Sequence, residues 1–439
     1  MNAKKTRLHI KVALCALSII LAVSFAACSV SEKPKKLETG TDFVPVLDTE
    51  TACTIHIVGH YNNFEALEAE FNRFAEYYPN VKMNYTFLDN YNGIILTALS
   101  STEAPDIFFT YPWMAYRDGY ASVYGELAEN LADPALGIDL GCVRESLLYK
   151  TEDGRVPTVP VYTTTFGMMV NEDIFEKEKI AVPATYAELL SACEALQKAG
   201  YPSPIMAYNL GNFMLYPLYY PYFCAQIHGN EEALGALNEM KEGAGEYMRG
   251  ALTLADDFIQ KGFIDLESCN QLENDYNAVI MRFFEGDVPM MFATGNTVSG
   301  TEKRESQSEA FIAHPFRYSF HPVPSTAEGG YFINTISMGF AVNKNSKNLD
   351  MANEFMRFLV STEELNRICQ AKRMVTPCVD MSLDGVYAAF GKVDASHIIN
   401  QTELGLTDTP DSQVRRAGWQ VSNGLMTVDE AVKAFGTLQ

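Results

Sequence analysis

Between residues 54 and 109, short β-branched runs alternate with segments of helical period, and this alternation restricts the fold more than any other feature of the chain. Residues 54–59 (TIHIVG) are β-branched and stopped by glycine; Phe64, Leu67, Phe71, Phe74 and Tyr78 then recur at helical spacing until Pro79. Val81, Met83, Tyr85 and Phe87 alternate with Lys82, Asn84 and Thr86, a helical stretch follows around residues 94–99, and Pro105-Asp106 leads into an apolar strand at 107–109. The order β-α-β-α-β takes right-handed crossovers, so these strands run parallel and the loops leaving their C-terminal ends gather along one edge. Two such loops are residues 60–63 and 110–117.

Similar signals continue downstream. Asp153-Gly154 is a turn before a strand at 156–161, and Thr185 with Glu188 reads as a capping box, a signal repeated by Ser361 with Glu364 and Thr427 with Glu430. Tyr247, Ala251, Leu254 and Phe258 form a helix stripe closed by Gly262, and residues 288–292 are a short apolar strand leading into Ala293-Thr294-Gly295-Asn296. The fold class is α/β. A chain of 439 residues exceeds what one core holds, about 250 to 300, so two lobes are expected. No repeat and no clean break divides them, which fits lobes exchanged between distant segments.

A composition of 47% hydrophobic and 20% charged residues excludes a disordered tail, a collagen-like fibre and a polytopic membrane protein. The net charge is −22; residues 1–27 hold Lys4, Lys5, Arg7 and Lys11 with no acid, so the remainder carries −26, a surface that repels nucleic acid. Lys4, Lys5 and Arg7 precede an apolar run at 12–27, the pattern of an export signal, and its 16 residues are short for a membrane span. It ends in Ser24-Phe25-Ala26-Ala27-Cys28, which resembles a bacterial lipobox with Cys28 as the lipidated residue, although Phe25 departs from the usual Leu. An ordinary signal peptide or an uncleaved anchor are the alternatives. Residues 29–50 lack hydrophobic periodicity and read as a solvated linker spanning about 25 Å. Of nine cysteines, seven remain beyond Cys15 and Cys28, with no C-x-x-C pair, so most are expected to be buried small hydrophobes, with room for one bridge.

Catalytic signatures are missing: there is no G-x-S-x-G, H-E-x-x-H, P-loop or G-x-G-x-x-G. His56 and His60 lie on a strand and at its end, where four residues span about 13 Å, too far for one metal ion. No catalytic residue, cofactor or metal is expected. A secreted hydrolase stays open as an alternative, because the two carboxylates of a glycosidase need no local motif.

Several ordered segments resemble the family 1 extracellular solute-binding proteins of ATP-driven importers, the carbohydrate-type, maltose-binding-protein-like group, over about residues 53–437. They are residues 74–81 (FAEYYPNV), 104–108 (APDIF), 153–160 (DGRVPTVP), 169–173 (MVNED), 284–290 (FEGDVPM), 352–359 (ANEFMRFL) and 423–431 (NGLMTVDEA). The resemblance implies a periplasmic-binding-protein-like fold, two α/β lobes joined by a hinge with the ligand cleft between them. In the implied division, residues 1–27 are the signal peptide and 28–50 the tether linker, 51–162 and 335–395 form the N-terminal lobe, and 163–334 and 396–439 the C-terminal lobe.

The edge loops fall in that implied cleft. His60, Asn62 and Asn63, with Tyr61, leave the first strand, where Asn amides supply donors and acceptors to hydroxyl groups, although Asn also favours turns. Tyr111, Trp113 and Tyr116 follow the Pro-Asp strand, where similar proteins place cleft contacts; an aromatic face stacks on the C–H face of a sugar ring. Tyr162 and Thr163 occupy the implied first crossing with Thr164 and Thr165, where they either offer hydroxyls or simply make strand, the latter favoured for Thr164. Residues 209–216 (NLGNFMLY) resemble a second-lobe aromatic loop and nominate Asn212 and Phe213, with the core an equal contender for Phe213. Asn296 follows the second-lobe strand, Thr297 stands where an aromatic platform is common, and Tyr331 and Asn334 precede the next crossing. Trp419 reads as a packing residue.

The resemblance therefore implies a receptor on the outer face of the cytoplasmic membrane, lipid-anchored through Cys28, that binds a small solute, most simply a sugar or oligosaccharide. Its partners are the permease subunits of an ABC importer, and nucleic acid is not among them. The alternatives are a receptor for a polyamine or another small solute, the secreted hydrolase, and an adhesin or scaffold.

Overall fold

The computed structural model describes residues 43–61, 64–115, 123–209, 213–272, 276–383 and 385–438. Cys28, the apolar run before it, Asn62, Asn63, Tyr116 and Asn212 lie outside the described residues. The chain is fixed earlier than a free linker to residue 50 would allow. Arg357 Nη2 donates to the Val44 carbonyl at 2.6 Å, the Val46 N–H donates to Glu354 Oε1 at 3.1 Å, and the Leu47 N–H donates to the Tyr78 hydroxyl at 3.2 Å.

Among the described residues the strands are β1 (Cys53–Gly59), β2 (Val81–Phe87), β3 (Ile107–Thr110), β4 (Val159–Thr164), β5 (Phe166–Asn171), β6 (Ile205–Met206), β7 (Met290–Thr294), β8 (Tyr318–His321), β9 (Phe332–Val342) and β10 (Ile398–Asn400). β1 lies between β2 and β3 and parallel to both, the arrangement that β-α-β-α-β requires. The next neighbour comes from far along the chain: β9 runs antiparallel to β3, with Phe109 opposite Phe340, and also takes β4 antiparallel and β10 parallel. This first sheet has the order β10-β9-β3-β1-β2 with β4 on β9, and the second has the order β6-β7-β5-β8. β4 and β7 begin later than the sequence pattern suggests, just beyond Pro157 and Pro289, which have no N–H to give a ladder.

The second sheet is covered on both faces. Met168 and Val170 of β5, with Met290 and Phe292 of β7, enter one core cluster, while Met169, Met291 and Ala293 enter the other, so the period-2 alternation divides the strands between two helical layers. In the first lobe the helix Glu65–Tyr77 buries Leu67, Phe71 and Phe74. The Phe74 ring lies 5.2 Å from Phe355 and 5.5 Å from Phe358 of the helix Leu349–Leu359, and burying a ring of this size contributes about 2 kcal/mol. The Tyr247 stripe starts its helix late, at Arg249, and the buried face is Ala251, Leu252, Ala255 and Phe258. All seven described cysteines are unpaired, and six are buried. Among the described residues no helix is long and apolar enough to cross a membrane, and no group of His, Cys, Asp or Glu side chains could hold a metal ion.

Two of the capping signals close fully, at Thr185 with Glu188 and Thr427 with Glu430. The third closes by half. Ser361 accepts from the Glu364 N–H at the start of the helix Thr362–Lys372, but the Glu364 carboxylate is engaged by Arg73, whose Nε and Nη2 donate to its two oxygens at 2.8 and 2.6 Å. Both residues are buried, so the bidentate pair fastens this helix to Glu65–Tyr77. Glu70 is buried beside it, and burial, then the facing Glu364 carboxylate, raises its pKa well above the usual 4.5. The folded protein thus holds a proton that the unfolded chain releases above pH 4.5, and raising the pH from 5 to 8 weakens the fold. Glu70→Gln is expected to flatten that decline in melting temperature; a decline as steep as in the parent would place the proton elsewhere.

Candidate functional site

Of the 11 residues of β9, all are buried except Ile336 and Ser337. The strand is paired to first-sheet neighbours along most of its length, yet at these two positions it is part-exposed, with Ile336 lining a cavity beside Tyr111 and Thr402. Tyr162 of β4 lies beside this window, opposite Met338. The crossing strands therefore make the floor of a cleft, and the loops that leave the parallel strands make its first-lobe wall.

Gly59 ends β1 because a Cβ there would sit 2.4 Å from the Phe109 ring; without one, Phe109 packs under the loop, its ring 6.0 Å from His60 and 5.6 Å from Tyr61. Tyr61 is held at both ends. Its N–H donates to the Tyr85 hydroxyl at 3.0 Å, the Tyr85 hydroxyl donates to its carbonyl at 2.9 Å, and its own hydroxyl accepts from Tyr162 at 2.5 Å. His60 Nδ1 is hydrogen-bonded to the Tyr111 hydroxyl. Trp113, on the short turn Pro112–Ala115, lies parallel to Tyr111 within 3°, the ring centroids 6.1 Å apart. Tyr111 and Trp113 are both half-buried, so the pair keeps part of its aromatic surface accessible.

The second-lobe wall starts where β7 runs into the helix Gly295–Ser299, capped by Thr294. A Cβ at Gly295 would stand 2.3 Å from Thr164 Oγ1 and 2.8 Å from the Tyr387 hydroxyl, so glycine is what lets this helix start rest on the first crossing. Asn296 next to it accepts from Ser337 Oγ at 3.0 Å, joining second-lobe wall to floor. His60, Tyr61, Tyr162 and Asn296 line one cavity of about 1180 Å³, together with Lys372 and the chain around Lys303. Tyr111 and Pro112 line a second, smaller one of about 370 Å³ with Ile336 and Thr402.

A further contact crosses the lobes at the end of the helix Thr362–Lys372. Arg373 caps it in the left-handed region at φ 47°, a conformation costing a non-glycine residue about 1 kcal/mol. Its Nη1 donates to Thr301 Oγ1 at 2.9 Å, Glu305 Oε1 at 2.9 Å and the Tyr318 hydroxyl at 2.7 Å, all second-lobe groups.

Other expected cleft residues are placed differently. Thr163 is wholly buried, its hydroxyl donating to the Val375 carbonyl at 3.1 Å; it fastens the crossing and presents no group to a ligand. Phe213 packs against Tyr216, Tyr208 and Phe166 with centroids 4.9, 6.2 and 6.4 Å away, which is core packing. Tyr331 lies 4.6 Å from the His397 ring and lines neither cavity. Thr297 is buried with its hydroxyl 3.2 Å from that of Tyr208, so no aromatic platform stands there. Trp419 Nε1 donates to Asn209 Oδ1 at 3.0 Å, a packing and bracing role. Sequence reasoning missed Ile336, Ser337 and Lys372. A half-exposed pair inside an apolar strand leaves little signal, and a lysine closing a helix is ordinary helix chemistry.

Lys372 reaches back over the aromatic loop, its Nζ 5.1 Å from the Tyr61 ring centroid and 5.4 Å from that of Phe64. Burial first, then the Lys372 charge, lowers the pKa of His60 to about 4. The imidazole is therefore neutral at physiological pH, a form with one hydrogen-bond donor and one acceptor.

Two α/β lobes around a cleft floored by crossing strands define a bilobal binding protein. Residues 59–365 match the model of the bacterial extracellular solute-binding proteins, and the chain belongs to that family. Over 110 residues it is 26% identical to the melibiose/raffinose/stachyose-binding protein MelE of Bacillus subtilis, a match spanning 25% of this chain and 24% of that relative. Among solved structures, the binding protein MsmE of Bacillus subtilis, in an open conformation, superposes with a TM-score of 0.64 at 14% identity, covering 89% of this chain and 97% of that one. A sugar transporter protein of Bacillus licheniformis in complex with stachyose gives 0.62 at 16% identity, covering 88% and 100%. At these identities the structural likeness establishes the fold.

The His60 ring is expected to titrate by NMR with a midpoint near 4 in the folded protein instead of the usual 6.5. Because its folded value is depressed, the stability tied to neutral His60 is present above 6.5 and is lost as pH falls toward 4. A folded-state midpoint at or above 6 would overturn this burial and charge account.

Proposed function

We propose that this chain is the substrate receptor of an ABC importer, tethered to the outer face of the cytoplasmic membrane through lipidated Cys28, and that it captures an oligosaccharide by closing its lobes. One observation carries the reading: aromatic and amide side chains flank the part-exposed Ile336–Ser337 stretch of a solute-binding-family fold, Tyr111, stacked with Trp113, lining a cavity with Ile336, and Asn296 bonded to Ser337. Aromatic faces take the C–H faces of sugar rings, and Asn296, Ser337 and the neutral His60 exchange hydrogen bonds with hydroxyls. The sugars named for MelE and for the Bacillus licheniformis protein support a sugar as the solute class.

Function follows from differential binding. A sugar touching both lobes makes its full set of contacts only in the shut state, so occupancy shifts the population toward closure, and permease subunits read the closed form. The chain itself does no chemistry; ATP is hydrolysed by other chains. A polyamine is disfavoured as the solute by the ammonium of Lys372 above the cleft.

Thermal stabilisation across a panel of neutral and charged oligosaccharides, with product analysis of the same samples, tests this reading. Stabilisation without turnover is expected; turnover would make the protein a hydrolase, and no response to any sugar would overturn the proposal. Trp113→Ala is expected to weaken binding about tenfold or more with an unchanged melting temperature, and unaltered affinity would remove the ring from the site. Cys28→Ala is expected to move the protein from the membrane fraction to the soluble one, whereas continued membrane retention would point to an uncleaved anchor.

A further inference from the structure

The larger cavity carries a charge arrangement that a neutral sugar does not use. Lys372 from the first lobe and Lys303 from the second both line it, and among the described residues no carboxylate lies within ion-pair distance of either. Arg304 lines the same wall, and its Nε is buried without a hydrogen-bond partner among the described residues. Two carboxylates are also present. Glu302 lies 3.7 Å from Arg373 Nε, which offsets it, and Glu65 stands exposed at the start of its helix. The balance leaves this cavity positive in a chain of net charge −22.

The cations face one another across the gap. Burial lowers the pKa of Lys372; Glu65 pulls the other way, and the Lys303 charge, a smaller effect, adds to the lowering. Shutting the lobes over a neutral ligand would bring like charges together in a less polar space, which opposes closure. An anion between them reverses the sign of that interaction and makes charge-assisted hydrogen bonds to both walls at once.

We propose that the cleft takes an oligosaccharide bearing an anionic group, a carboxylate or a sulfate ester, seated between Lys372 of the first lobe and Lys303 of the second. The inference rests on the sugar-receptor reading and specifies its substrate class. The two lysines hold the charge in the cavity that His60, Tyr61 and Asn296 also line, and the anion couples binding to closure.

Isothermal titration of the full chain with trigalacturonate, neutral galactotriose and a sulfated disaccharide tests it, at low and at physiological salt. At least one anionic probe is expected to bind about tenfold or more tighter than galactotriose, with the advantage shrinking as NaCl rises. Binding of trigalacturonate alone would name a carboxylate, binding of the sulfated probe alone a sulfate, and either supports the proposal. Lys372→Met and, separately, Lys303→Gln are expected to reduce the anionic-over-neutral ratio about tenfold. Because Lys303 is exposed, its variant keeps the test valid even if Lys372→Met disturbs the packing on Tyr61. Galactotriose binding as tightly as both anionic probes would overturn the anionic class and leave the sugar receptor standing; silence from all three and from a wider sugar panel would remove both.

Discussion

The strand Phe332–Val342 is the constraint on which the rest of the molecule depends. It takes β10 at its start, β4 through its middle and β3 at its end, so a single hydrogen-bonded ribbon supports both the sheet of the first lobe and the route into the second. A strand buried on all sides would leave no space for a solute. Here the burial lapses at Ile336 and Ser337 alone, and the cleft opens at that point. Loops positioned by a rigid sheet edge then surround the opening, which is why His60, Tyr61, Tyr111 and Trp113, far apart in sequence, share one wall.

Charge is distributed with the same economy. The buried pair Arg73–Glu364 fastens helices inside the first lobe, and the Arg373 cluster ties that lobe to Thr301, Glu305 and Tyr318 of the second. Between these satisfied groups stands Lys372, resting on aromatic faces and lacking a carboxylate partner among the described residues. A half-buried cation in that state keeps part of its hydration and leaves the rest of its hydrogen-bonding capacity to a ligand. The same ammonium adds to the burial that lowers the pKa of His60, so one residue bears both on the charge of the cavity and on the protonation of its neighbour.

Legibility in the sequence followed the range of the interactions involved. Period-2 and period-3.6 patterns are local, and they revealed β1, β2, β3 and the helix Glu65–Tyr77 to within a residue or two. Capping boxes were legible at Thr185 and Thr427, but at Ser361 the box opens because Arg73, 291 positions from Glu364, takes the carboxylate. Aromatic residues were readable as candidates by type, and Tyr111 and Tyr162 each line a cavity in the structure. Thr163 and Tyr331 carry suitable chemistry as well, yet Val375 and His397 occupy them. Residue type announces what a side chain can do, whereas its partner decides what remains available.

By itself, then, the sequence determined the α/β class, the parallel start of the first sheet, the helices with their caps, and the expectation that loops at one sheet edge hold the site. These are written in near-neighbour periodicity and turn chemistry. Only the tertiary structure decided that β9 joins both halves, that Ser337 is left open while Thr163 is closed, and that Lys372 and Lys303 line one cavity from opposite lobes. The reason is physical: burial, ion pairing and cleft shape arise from contacts between segments separated by up to hundreds of residues, and no local pattern encodes which of those segments will meet.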